Sequence, residues 1–84
     1  MTLTPEDKNS IIQYRIQRAK ETLEEAKIVM NAQLWNLTVN RFYYCVFYAA
    51  LALLQSKGIS TSTHKGVWSM IHLNFVKPGL LSKD

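Results

Sequence analysis

NRFYYCVFYAALALL, residues 40–54, carries its only charge at Arg41, and no other charged residue follows until Lys57. On a helical wheel the stretch shows no clean polar face between Phe42 and Leu54, and a helix that is apolar all round is buried on more than one side. The run falls short of the roughly 20 apolar residues of a transmembrane helix, so it is expected to be covered by protein. A domain of 84 residues covers one side of such a helix well and little more. Phe42, Val46, Ala50, Leu53 and Leu54 are therefore expected to pack against neighbouring helices, and the uncovered side asks for a second copy.

One stripe of this helix is chemically distinct. At about 100° per residue, Arg41, Tyr44, Cys45, Tyr48, Ala52 and Gln55 fall within about 60° of one line. A guanidinium that binds phosphate bidentately beside tyrosine hydroxyls suits a nucleic-acid or nucleotide surface. Aromatics at helical spacing serve more often in core or interface packing. The stripe is expected to face a partner protomer or a ligand groove.

Outward from this stretch the chain reads as helices throughout. The central helix is expected over about 35–57, with Gly58 in the C′ position that ends it. Upstream, Thr4 reads as an N-cap, Pro5 as the first helical residue, and Glu6 and Asp7 as favourable charges in the first turn. They open a helix over about 5–32, with Ile12, Ile16, Ala19, Leu23, Ala26 and Met30 as its apolar stripe and Arg18, Glu21 and Glu25 on the wet side. Downstream, Thr63 caps a third helix over about 64–76, with Val67, Trp68, Ile71 and Phe75 facing inward. Lys77-Pro78-Gly79 closes it, and Leu80-Leu81 looks like the start of another. No strand-like alternation competes. Residues 1–84 are thus expected to form a single all-α domain, an up-and-down antiparallel bundle.

The net charge of +4 is unevenly spread: Glu6, Asp7, Glu21, Glu24 and Glu25 lie in the first 25 positions, and no acid occurs from 26 to 83. Lys27, Arg41, Lys57, Lys65, Lys77 and Lys83 occupy that stretch, which fits an anionic partner or, as plainly, a set of solvated lysines. Cys45, the lone cysteine, excludes an internal disulfide and reads as a packing residue. The N-terminal residues lack a secretory h-region or a transit pattern, so the expected compartment is the cytoplasm. His64 and His72 lie about 12 Å apart along one helix and close no metal site by themselves. His64 reads as a neutral, hydrogen-bonded structural residue at a helix start, and Trp35 and Trp68 as core or interface anchors. Glycine-rich phosphate loops, nucleophile elbows and paired carboxylates at catalytic spacing are absent, and no cofactor is implied.

The succession of an amphipathic helix, then LWNLTVNRFYYCVFYAALALLQSKG, then THKGVWSMIHLNFVKPGLL resembles the HEPN domains, in particular the small prokaryotic ones encoded beside minimal nucleotidyltransferases. The resemblance covers about residues 10–81 and rests on Asn40, Arg41, Tyr43, Tyr44 and Phe47, then His64, Gly66 and Val67, then the segment 75–77. It implies a helical bundle, normally of four or five helices, so that three main helices imply a short or truncated member. Catalytic HEPN proteins are dimeric, metal-independent endoribonucleases whose signature is an arginine followed, after four to six intervening residues, by a histidine. The helices that carry it meet across the dimer axis. Here Arg41 supplies the arginine, and Tyr48 stands at the histidine position.

The resemblance implies an RNA- or nucleotide-binding member of a toxin–antitoxin-like pair with a nucleotidyltransferase partner. Arg41 and Tyr48 occupy the catalytic positions, and Asn40, Arg41, Tyr44, Lys57, His64 and Lys65 are the candidate RNA- or nucleotide-binding residues. A tyrosine with a pKa near 10 is a poor base at neutral pH, so little or no RNA cleavage is expected. The alternatives are an active metal-independent endoribonuclease and a structural helical module that dimerises through the second helix without any nucleic-acid role.

Overall fold

The computed structural model describes residues 4–61, 63–77 and 79. They form α1 (Pro5–Asn31), α2 (Trp35–Ser56) and α3 (His64–Ile71), and α3 passes directly into a π-helical turn, His72–Val76. The fold is an all-α, up-and-down helical bundle. The expected further helix at 80–81 lies outside the described residues.

Local chemistry sets each helix end. Thr4 and Asp7 form a reciprocal capping box, Asp7 N–H donating to Thr4 Oγ1 at 3.0 Å and Thr4 N–H to Asp7 Oδ2 at 3.2 Å, which satisfies two otherwise unpaired donors. At the far end of α1, Gln33 N–H reaches Met30 O and Leu34 N–H reaches Val29 O. This is a Schellman pair, and it is closed by Gln33 at a φ of 61° rather than by a glycine. The short turn that results makes α1 and α2 antiparallel neighbours. α2 ends in a second Schellman pair, Gly58 N–H to Gln55 O and Ile59 N–H to Leu54 O, with Gly58 at positive φ. Ile59 then folds onto the core. Thr63 Oγ1 caps α3 by accepting from Gly66 N–H at 2.9 Å.

α2 lies in the middle. α1 packs along one flank and α3 along the other, and α1 and α3 do not touch among the described residues. The result is a slab of 43 × 31 × 20 Å, about two helix diameters thick. Its main core gathers Phe47, Ala50, Leu54, Val67 and Phe75, with Tyr44, Leu51, Ile59, Trp68, Met70 and Ile71 packed on the outside. Between α1 and α2 the centre of contact is small: Thr22 and Ala26 are fully buried. Thr22 returns its hydroxyl to the Arg18 carbonyl, as a buried hydroxyl must.

Two expectations are corrected here. Because α3 never reaches α1, Phe42, Val46 and Leu53 remain exposed instead of packing against the first and third helices, as do Trp35 and Val39 on the same side. α2 also runs to 22 residues, long and apolar enough by length and composition to cross a membrane, so the run is not too short for that once Trp35–Val39 is counted. A core helix of a bundle meets the same criterion, and α2 is flanked by α1 and α3.

Candidate functional site

The antiparallel pairing of α1 and α2 lays Glu25 of α1 beside Arg41 of α2, and Arg18 of α1 beside Tyr48 of α2. Two similar clusters result. In one, Arg41 of α2 donates from Nη1 to Glu25 Oε1 at 3.1 Å, and its guanidinium lies 5.5 Å from the Tyr44 ring centroid. In the other, Arg18 of α1 donates to Glu21 Oε1 at 2.8 Å and lies 5.3 Å from the Tyr48 centroid. The two tyrosine rings are 6.2 Å apart, so the clusters form one line of alternating charge and aromatic surface.

Asn40 completes the Arg41 cluster, its Oδ1 accepting from Nη2 at 2.7 Å and from Nε at 3.1 Å. Glu25, Asn40 and the Tyr44 face thus engage the Arg41 guanidinium within the chain. In the second cluster the Glu21 carboxylate and then Tyr48 hold Arg18 more firmly protonated. The Arg18 hydrogen bond, followed by the Gln17 amide, holds Glu21 below the usual carboxylate range. Arg41, Tyr44 and Tyr48 are half-buried: Arg41 and Tyr48 meet α1 through Glu25 and Arg18, and Tyr44 lies between Arg41 and His64.

His64 joins the line from the other side. Its ring stacks on Phe47 at 4.3 Å between centroids and meets Tyr44 edge-on at 6.0 Å, and its Nδ1 lies 2.8 Å from Tyr43 Oη. Trp68 Nε1–H donates to the same Tyr43 oxygen at 3.2 Å. Asn40, Arg41, Tyr44, Tyr48 and His64 are therefore contiguous. Lys57 is not part of the group, since it caps the end of α2 about 24 Å along the axis from Arg41. Lys65 is exposed on the outer face of α3 beside Trp68 and His72.

Arg18 and its partner Glu21, together with Glu25 and Tyr43, are residues of this group that sequence reasoning does not select as site residues. The signal for Arg18 is its alignment with Glu21 and Glu25 at spacings of three and four, a charged line that borders the buried Thr22 and Ala26. For Tyr43 the signal lies in its place in the Asn-Arg-x-Tyr-Tyr run. The structure gives it the role of tying α2 to the start of α3.

An all-α bundle with this Asn-Arg-x-Tyr-Tyr helix, docked to a His-x-Gly-Val helix start, defines the class. The HEPN domain family model matches residues 12–84, and the chain belongs to that family. Among its curated relatives, a UPF0332 protein of Thermotoga maritima is 41% identical over 78 residues, 93% of this chain and 59% of the relative. A Methanocaldococcus jannaschii protein named "Putative toxin" is 39% identical over 72 residues, 86% of this chain and 54% of its own. A UPF0332 protein of Pyrococcus horikoshii is 33% identical over 72 residues, 86% of this chain and 51% of its own. The chain thus spans 51% to 59% of the length of these relatives. No solved structure matches it significantly.

Proposed function

We propose that this chain is the HEPN half of a toxin–antitoxin-like pair, working with a nucleotidyltransferase-family protein, and that it binds RNA or nucleotides without cutting them through Arg41 and Tyr48. Toxin names among the relatives support the setting. The observation that carries the reading is the second cluster: Tyr48, at the histidine position, lies beneath the Arg18 guanidinium. A phenol is a weaker proton acceptor at neutral pH than the imidazole that catalytic members carry in this position. Arg18 and Arg41 bring two guanidinium groups to one line of side chains between α1 and α2, and guanidinium groups bind phosphate bidentately.

A labelled RNA incubated with the chain in chelator tests this. Wild type and Tyr48→Phe should bind without cutting, Arg41→Ala should weaken binding, and binding should fall steeply with salt. Robust cleavage by wild type that is lost in His64→Ala would overturn the assignment of Tyr48.

A second reading is association without nucleic acid. It is favoured by the occupied state of Arg41, whose partners Glu25 and Asn40 an incoming phosphate would have to displace. It is favoured as well by the exposed apolar side of α2. Salt-independent failure to bind RNA, together with a stable dimer, is its expected signature.

A further inference from the structure

Lys65, Trp68, Ser69, His72 and Leu73 recur at helical spacing along an open groove on α3, Trp68 with its inner edge held against Tyr43 and Phe47, and Lys77 lines the same groove. Lys77 does not belong beside them by α-helical geometry. Twelve residues at about 100° each place it about 120° away from Lys65.

The π-helical turn brings it back. Lys77 N–H bonds to His72 O at 2.8 Å, five residues earlier, and a turn closed from i to i+5 takes in about one extra residue, rotating the downstream backbone by roughly 100°. Asn74 Nδ2 donates to the Met70 carbonyl at 2.9 Å, a side-chain bond across the step from α to π geometry. Such turns are rare and recur at functional sites. Here the turn's effect is to set a cation at each end of a groove floored by Trp68 and Leu73. No acidic residue occurs between positions 26 and 83, and among the described residues neither lysine takes part in an ion pair.

We propose that this face binds single-stranded RNA, a base stacking against the Trp68 indole while Lys65 and Lys77 hold flanking phosphates. Single-strand binding surfaces combine a basic groove with an aromatic platform in this way. The two cations select an anionic ligand, and the aromatic and apolar lining between them suits a stacked base rather than a row of carboxylates. The proposal rests on the RNA-binding reading above and adds a contact on α3 to the arginine line between α1 and α2.

The test uses the full chain and a fluorescein-labelled 12-residue oligouridylate, with affinity measured across a salt series. Lys65→Ala with Lys77→Ala should lower the slope of log K against log salt by about 1.4, at about 0.7 for each single-strand phosphate contact. Leu73→Glu, at an exposed position, should weaken binding by about tenfold or more without touching the core. In a Trp35→Phe background the oligonucleotide should quench Trp68 fluorescence. If these variants bind as wild type does while Arg41→Ala does not, the α3 site is wrong and the wider RNA reading stands. If wild type fails to bind at low salt, both fall. If polyglutamate competes and quenches as well as RNA does, the face takes an acidic polypeptide and the RNA assignment is overturned.

Discussion

Tyr43 Oη lies 2.8 Å from His64 Nδ1 and accepts a hydrogen bond from Trp68 Nε1. An indole N–H only donates, which leaves the tyrosine's own proton available to His64; we predict that it goes there, so that a neutral His64 ring carries its hydrogen on Nε2. Tyr43→Phe removes the oxygen that both α3 residues use. We expect a loss of about 1 kcal/mol in denaturant unfolding, with His64 released to sample both tautomers. Nitrogen shifts of the imidazole would show this, and a wild-type ring protonated on Nδ1 would contradict the network.

Gly66 sits where a methyl group has no room. A Cβ there would clash with Thr61 Oγ1 and come within 2.7 Å of Thr63 Oγ1, because both threonine side chains lie against the first turn of α3. Alanine is the better helix former by about 1 kcal/mol, yet Gly66→Ala should lower the melting temperature. Adding Thr61→Ala should recover part of the loss. Stabilisation by the single substitution would mean that the threonines do not lie against the helix.

The turn between α1 and α2 holds a strained residue. Gln33 occupies the left-handed region at φ 61°, which costs a non-glycine residue about 1–2 kcal/mol. Gln33→Gly should therefore raise stability by up to about 1 kcal/mol, less than the full strain because glycine also loses more entropy on folding. Gly58→Ala, in the equivalent place after α2, should do the reverse. Thermal melts of the two variants check both signs.

Reading from sequence succeeds where the cause is local. Thr4, Pro5, Asp7, Gly58 and Thr63 act on backbone groups within a few residues, so helix ends and the all-α class are legible. Gln33 is not, since its αL conformation is imposed by the Schellman closure and carries no glycine signal. The π turn is equally silent, because a 3.6-residue period assigns His72–Val76 to an unbroken helix. Which wet-side charge of α1 crosses to α2 depends on the register between helices. Arg18 thus reads as a solvated residue until Tyr48 is seen beneath it. The exposure of Phe42 and Val46 depends on α3 missing α1, a tertiary fact with no local trace.

The Arg18–Glu21 pair sets a pH dependence. With its carboxylate held below the usual range by Arg18 first and Gln17 second, Glu21 contributes stability above its unfolded pKa and loses it as pH falls through the lower, folded value. The pair is largely exposed, so the contribution is small. Glu21→Gln should be the less stable protein at neutral pH, and the two proteins should converge on acidification below about pH 4. Melting temperatures across pH 2–7 would show whether the curves meet; parallel curves would mean that no such pair forms.

Self-association should run through the side of α2 opposite the tyrosine line. Trp35, Val39, Phe42, Val46 and Leu53 lie within about 40° of one line on the helix and extend over about 27 Å. All five are exposed, Val46 at 54%, and none is charged. Contiguous apolar surface of this kind marks an association site. In a twofold dimer each substitution appears twice, so one charge at the centre of the stripe opposes association on both protomers. Val46→Glu should shift the protein towards monomer in sedimentation at micromolar concentration, with helicity and melting temperature kept because the position is already wet. Tyr48→Phe should leave the association unchanged, its ring being turned to α1 under Arg18. A wild type that sediments as a monomer would dispose of the interface, and dissociation by Tyr48→Phe with Val46→Glu silent would move it back to the tyrosine line.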